Sequence, residues 1–230
     1  MEKSFQIESW TKEFMTQLSD TFGNRLLFFG LQGSYGRGEA TDKSDIDVVV
    51  ILDQLTVDDL LIYKSLLNDN SEKDRICGFV AGKKELIHWA PFDLLQLYLD
   101  THPLMGTLKE LEGSFSKQTC YEAIHSAACN LYHATSHNYL HAEDSAMLHE
   151  LYKSARFIVR MKHYSEQGTY IPQMELLQRA VSAEDRQIIA YYSQEVDTKK
   201  AAFEEGSRYL IEWSSRLIEQ FDPSHCITTD

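Results

Sequence analysis

Two carboxylates separated by one residue, Asp45 and Asp47, open the apolar run Ile46–Leu52. Side chains two apart on a strand share a face, so the pair sits side by side while Ile46, Val48 and Val50 turn to the core. Anions held this close repel each other unless a cation lies between them. A hard, octahedral Mg²⁺, which takes carboxylate and phosphate oxygens together, suits the arrangement. Gly33-Ser34, ten residues upstream, begins the glycine-rich segment Gly33 to Gly38. Glycines let the backbone approach a polyphosphate closely, and amides opening a short helix after Gly33 add donors. Alone, an Asp-x-Asp pair is an ordinary strand end and a Gly-rich turn an ordinary turn. The combination at this spacing is what specifies phosphate and metal chemistry.

These residues need strands to hold them. Leu26–Leu31 and Ile46–Leu52 read as buried strands, with shorter candidates at Ile76–Ala81 and Glu85–His88. A first helix is predicted from Glu8 to Leu18, where Trp10, Phe14 and Leu18 recur every four residues, and another over Val57–Leu67. Beyond Gly113 the pattern is helical throughout: 118–139, 144–166 and 195–221 are long, and 172–180 and 183–193 short. Leu148, Leu151, Tyr152, Ala155 and Val159 form one apolar face, and Gly168 and Pro172 end that helix. The expected fold class is α+β: an α/β domain with a mixed sheet over 1–112, then an all-α helical bundle over 113–230.

The stretch GSYGRGEATDKSDIDVVVIL, residues 33–52, resembles the nucleotidyltransferase superfamily with a DNA polymerase β-like fold, whose signature is G-S-x10-D-x-D. The resemblance implies that Asp45 and Asp47 ligate Mg²⁺ and act in catalysis, and that Gly33, Ser34 and Arg37 bind the nucleotide. The implied reaction is attack of an acceptor hydroxyl on the α-phosphate of a nucleotide, ATP first among them, with release of pyrophosphate. RMKHYSEQGTYIPQ and IAYYSQEVD, at 160–173 and 189–197, look like the helical domain of the streptomycin/spectinomycin adenylyltransferases. That likeness assigns a nucleotide contact to Tyr191 and a substrate-lining acid to Glu150, and makes the acceptor a small hydroxylated molecule, aminoglycoside-like among the choices.

The sequence departs from that family in three places. Its third carboxylate, a metal ligand or general base on the strand after the Asp-x-Asp helix, falls on Cys77 in RICGF; Asp74, Glu85 and Asp93 are alternatives. A lysine after the T-G-x-x-x-P turn is Gln173 here, and the substrate-lining segment after the third-carboxylate strand is shortened. Two other readings therefore stand beside the enzyme: a nucleotide-binding sensor with a degenerate site, and a minimal nucleotidyltransferase that adenylylates a protein. His133, His137 and His141 recur every four residues, a spacing open to a transition metal but commoner on a polar helix surface. Arg156 and His163, six residues between them, resemble the R-x4–6-H pattern of small helical ribonucleases, which recurs often by chance.

Composition bounds the partners. In 230 residues, 22 Lys+Arg stand against 35 Asp+Glu, a net charge of −13, with no basic stripe of the kind that grips long nucleic acid. No apolar run approaches a membrane span, and MEKSFQIESW lacks a signal-peptide pattern, so a cytoplasmic protein is expected. The four cysteines show no C-x-x-C spacing, which speaks against a disulfide framework or zinc knuckle.

Overall fold

A computed structural model describes residues 5–42 and 44–226, in two compact units, Met1–Ser114 and Phe115–Asp230. The first residues of the N-terminal stretch read above, 1–4, lie outside the described residues, as do Lys43 of the motif and the side chain of Cys226. The fold is α+β, as the sequence implies: a mixed four-stranded sheet in the first unit and helices in the second.

In the N-terminal unit, α1 (Ile7–Phe22) leads into β1 (Leu26–Gln32), the short α2 (Gly33–Arg37) and β2 (Ile46–Leu52). The crossover α3 (Val57–Asp69) reaches β3 (Ile76–Gly82), followed by α4 (Lys83–His88), α5 (Pro91–Asp100) and β4 (His102–Met105). The strand order is β3-β2-β1-β4; β1 is antiparallel to β2 and β4, and β2 is parallel to β3. Parallel neighbours need a crossover, and α3 supplies it. The helical period of Trp10, Phe14 and Leu18 buries all three against Phe29, Leu31, Ile46, Val48 and Val50. Burial of this kind contributes about 1.5–3 kcal/mol per large side chain. It fixes which face of β2 is core, and so sends Asp47 to the other face.

Three elements differ from the sequence reading, which assigns none to the residues of α5. Glu85–His88 is not a strand but part of α4. Only Leu86 of that segment is buried, while Ile87 is exposed, so one helical turn after Gly82 hides the single apolar side chain that matters. The four-residue β4 escapes detection because Pro103 and Gly106 read as turn residues; it exists by pairing with β1 at the sheet edge, where proline is tolerated.

An ion-pair cluster locks the start of α3. Arg25 donates from both terminal nitrogens to Asp59, each at 2.8 Å, and the Thr56 amide and hydroxyl donate to the same carboxylate. The Arg25 guanidinium, then the Thr56 donors, hold the Asp59 carboxyl far below the usual carboxylate range. A depressed carboxyl stabilises the fold fully above its unfolded pKa, about 4, and the contribution disappears as pH falls toward the folded value. Asp59→Asn is therefore expected to lower the unfolding midpoint at neutral pH and to flatten its decline in acid. Thermal unfolding from pH 7 to pH 2.5 reads this; parallel decline in the two proteins would refute it.

The C-terminal unit holds α6 (Lys117–His137), a π-helical turn at Asn138–Ala142, α7 (Ser145–Gln167), α8 (Met174–Ala180), α9 (Ala183–Tyr192) and α10 (Lys200–Gln220). Leu148, Tyr152, Ala155 and Val159 are buried as their spacing predicts, and Gly168 ends α7 in the left-handed conformation at φ +68°. Buried Asp185 accepts from Lys162 at 2.7 Å, Ser182 at 2.9 Å and the Trp213 indole at 3.0 Å, tying α7, α9 and α10 together. Cys77, Cys120 and Cys129 are not in disulfides. Among the described residues no helix is long and apolar enough to cross a membrane.

Candidate functional site

Register builds the site. Gln32 on β1 pairs with Asp47 on β2, and Asp47 pairs with Cys77 on β3, so three side chains form a row across the end of the sheet. Asp45 directly precedes β2 and shares a face with Asp47 by strand alternation. Asp45 is exposed and Asp47 half-buried, against a strand otherwise buried along its length.

The glycine turn interlocks with this row. Gly33 takes φ +66°, and a Cβ there would collide with the Asp47 carboxylate. Only glycine satisfies both the backbone and that contact, so Gly33 and Asp47, on the turn and on the strand it leads to, are one constellation. Ser34 follows in the first turn of α2. Gly36 is packed as tightly: a Cβ would lie 2.7 Å from the Leu31 carbonyl oxygen.

Two arginines hold the turn. Arg75 donates to the Ser44 carbonyl from Nε at 3.2 Å and Nη2 at 3.0 Å, and from Nη2 to the Tyr35 hydroxyl at 2.6 Å. It fastens the loop ahead of Asp45 to α2. Arg37 is paired with Glu39 at 2.9 Å and with Asp100 at 2.5 Å. Asp100 and Arg75 are not evident as site residues from sequence, because their partners lie dozens of residues away; the only hint is Arg75 within RICGF.

The acids weighed for the third position are dispersed. Asp74 is exposed in the turn before β3, at the same end as Asp47. Glu85 follows Gly82, which pairs with Leu52, so it lies beyond the opposite end, roughly 16 Å along the strand. Asp93 begins α5 whereas Asp100 ends it, leaving Asp93 about 10 Å up the helix from the Arg37 contact. Among the described residues no three His, Cys, Asp or Glu side chains gather to hold a metal. Asp45 and Asp47 supply two hard oxygen donors, and the space that Gly33 leaves open is filled by one of those carboxylates. The residues thus fit a divalent cation that draws its other ligands from phosphate and water.

In the C-terminal unit, Tyr191 lines a cavity of about 250 Å³ with Tyr152, Tyr209, Glu195, Asp197 and Glu205. Its ring stacks on Tyr152 with centroids 3.7 Å apart, and a Cβ at Gly206 would lie 2.7 Å from its hydroxyl. Burial, then the Asp197 and Glu205 carboxylates, push the Tyr191 hydroxyl pKa up. Burial also raises that of Tyr152 well above the ordinary tyrosine value. Glu150 is exposed on α7 and paired with Lys153 at 3.2 Å. Gln173 is exposed at the start of α8. His133, His137 and His141 form an exposed row, with ring centroids 6.3 and 4.7 Å apart. Arg156 lies over the Tyr192 ring at 3.9 Å, while the His163 ring bonds the Thr169 carbonyl; each is engaged in the bundle itself.

Residues 11–105 match the nucleotidyltransferase domain family. No curated protein matches the sequence significantly. Among solved structures, the spectinomycin adenyltransferase AAD(9) from Enterococcus faecialis, solved with ATP and spectinomycin, aligns over 90% of this chain and 98% of its own. That alignment has 15% identity and a TM-score of 0.57. A toxin–antitoxin structure with AMP-PNP overlaps 44% of this chain and 77% of its own (20% identity, TM-score 0.32). A nucleotidyltransferase-like protein from Exiguobacterium sibiricum overlaps 94% and 78% (9% identity, TM-score 0.35). The chain carries a nucleotidyltransferase domain and resembles the aminoglycoside adenylyltransferases in fold.

Proposed function

We propose that the protein transfers AMP from ATP to a hydroxyl of a small acceptor, with Mg²⁺, in the cytoplasm. The observation that carries this reading is the interlock of Gly33 with Asp47, in register with the neighbouring strands. It sets two hard oxygen donors beside a turn of backbone amides, the pairing that a metal-bound polyphosphate requires. Asp45 and Asp47 would hold the cation, which when bound neutralises charge on the attacking and leaving oxygens. Gly33 and Ser34 would offer the phosphates backbone amides, with the Ser34 hydroxyl as a further donor. The acceptor oxygen bonds to the α-phosphorus, the bond to the pyrophosphate oxygen breaks, and the hydroxyl proton passes to a base.

The tyrosine cavity supports the nature of the ligands. Three carboxylates and no lysine or arginine line it, which disfavours phosphate and favours an uncharged aromatic ring or an amine. Tyr191 thus offers a base-stacking face for the nucleotide, and the acids an environment suited to an amine-bearing, aminoglycoside-like acceptor. Glu150 is proposed as a further acceptor contact. A sensor that binds nucleotide without transferring it is the second reading, favoured by the thiol at Cys77 in register with Asp47.

Incubating the protein with ATP, Mg²⁺ and a panel of hydroxylated amines is expected to release pyrophosphate and label one acceptor with AMP, seen by mass spectrometry. Tight ATP binding with no transfer to any acceptor would move the reading to the sensor. Absence of ATP binding would end both.

A further inference from the structure

We infer that Arg37 is a positioning residue: it fastens the glycine turn to the end of α5 and does not touch the nucleotide. The inference rests on the nucleotide-binding reading above. Arg37 has the charge expected of a phosphate ligand and sits in the right segment, yet its geometry points elsewhere. Its Nε donates to Glu39 at 2.9 Å and its Nη1 to Asp100 at 2.5 Å. The arginine side chain is 13% exposed and that of Asp100 4%. Burial opposes the charge on Arg37, but the Asp100 and Glu39 carboxylates outweigh it, so its pKa is raised overall. Turning toward a phosphate would strip a buried carboxylate of its guanidinium, and breaking such a pair is strongly unfavourable.

The contact has a geometric purpose. Gly36, next in the chain, lies against the Leu31 carbonyl and within 3.4 Å (as a Cβ) of the Asp100 carbonyl. Arg37 and Gly36 together press α2 onto the C-terminal end of α5, and α2 begins with Gly33 and Ser34. The guanidinium reaches the two carboxylates from separate nitrogens of a rigid planar fork, Nε and Nη1, whereas an ammonium offers its donors from a single atom on a flexible stem. Asp100 is thereby part of the nucleotide-binding apparatus while bearing a charge that would repel phosphate.

That paradox supplies the test. ATP affinity in Mg²⁺ is measured by calorimetry for the full chain and for Arg37→Met, Arg37→Lys, Asp100→Asn and the Arg37→Met/Asp100→Asn double variant. Amide hydrogen exchange of residues 33–42 is followed without nucleotide. Positioning predicts that Arg37→Met and Asp100→Asn each weaken ATP binding by roughly tenfold, that the double variant is no worse than either, and that lysine fails to restore affinity. Exchange in 33–42 should rise in all of them. ATP binding by Asp100→Asn equal to or tighter than wild type would make Arg37 a phosphate ligand and overturn the inference. So would lowered melting midpoints with exchange and affinity unchanged. Should the wild-type chain not bind ATP, the functional reading fails by itself, and hydrogen exchange alone decides the clamp: no rise in 33–42 overturns it.

Discussion

Asp47→Asn is expected to abolish Mg²⁺-dependent ATP binding, with a loss of at least roughly a hundredfold, about 2.7 kcal/mol, while the unfolding midpoint changes little. The substitution keeps the shape of a half-buried side chain and removes one of two hard anionic donors. A divalent cation bound by only two protein carboxylates loses most of its protein-derived charge when one is neutralised. Asp45→Asn should behave alike, since it shares the face and is exposed. Gly33→Ala should match them without altering any charge. Its methyl collides with the Asp47 carboxylate, and φ +66° strains an L-residue. Calorimetry with and without Mg²⁺ on the three variants reads this result. Unchanged affinity in Asp45→Asn and Asp47→Asn would remove the metal assignment. Unchanged affinity in Gly33→Ala alone would remove the interlock.

Cys77→Asp is expected to accelerate AMP transfer by about 10²–10⁴ without tightening ATP binding. An acceptor hydroxyl is a weak nucleophile at neutral pH, and a positioned general base contributes that factor. The register puts residue 77 beside Asp47 on the adjacent strand, on the face that Asp45 and Asp47 share. A carboxylate there would be placed to take the proton, whereas the native thiol is a poor hard-metal ligand. Cys77→Ala should be nearly silent. Single-turnover transfer of AMP compares these variants with Asp74→Asn, the remaining acid at that end of the sheet. Crippled transfer in Asp74→Asn together with no gain in Cys77→Asp would give the role to Asp74.

The site was legible in sequence where it is local. Gly33, Ser34, Asp45 and Asp47 lie within one turn and two strand ends, so spacing alone brings them together, and counting forward lands on Cys77. The structure adds what spacing cannot carry. Arg37 pairs with Asp100 and Arg75 with Tyr35 across long stretches of chain, and nothing near either arginine marks its partner. Arg37 in particular reads as a phosphate contact from its place in the motif. Helical periodicity exposed α1 and α7 because each buries one continuous stripe. It failed at Glu85–His88, where a single buried leucine has no period, and at β4, where pairing with β1 overrides an exposed, proline-bearing sequence.

The position of β3 separates two properties that proteins usually trade against each other. β2, which carries the half-buried Asp47, is buried at every other position, so changes there tax folding and chemistry together. β3 is the margin of the sheet, and Cys77 on it is exposed. Substitutions at exposed positions usually shift stability by less than about 0.5 kcal/mol. Its neighbour Gly78, at φ +136° with its Cα against the Val48 backbone, has no such latitude. On the reading proposed above, a change at residue 77 would alter the rate of transfer while the fold and the Gly33–Asp47 contact stay intact. A lineage could pass between enzyme and receptor through one side chain, without the destabilised intermediates that normally block such a route.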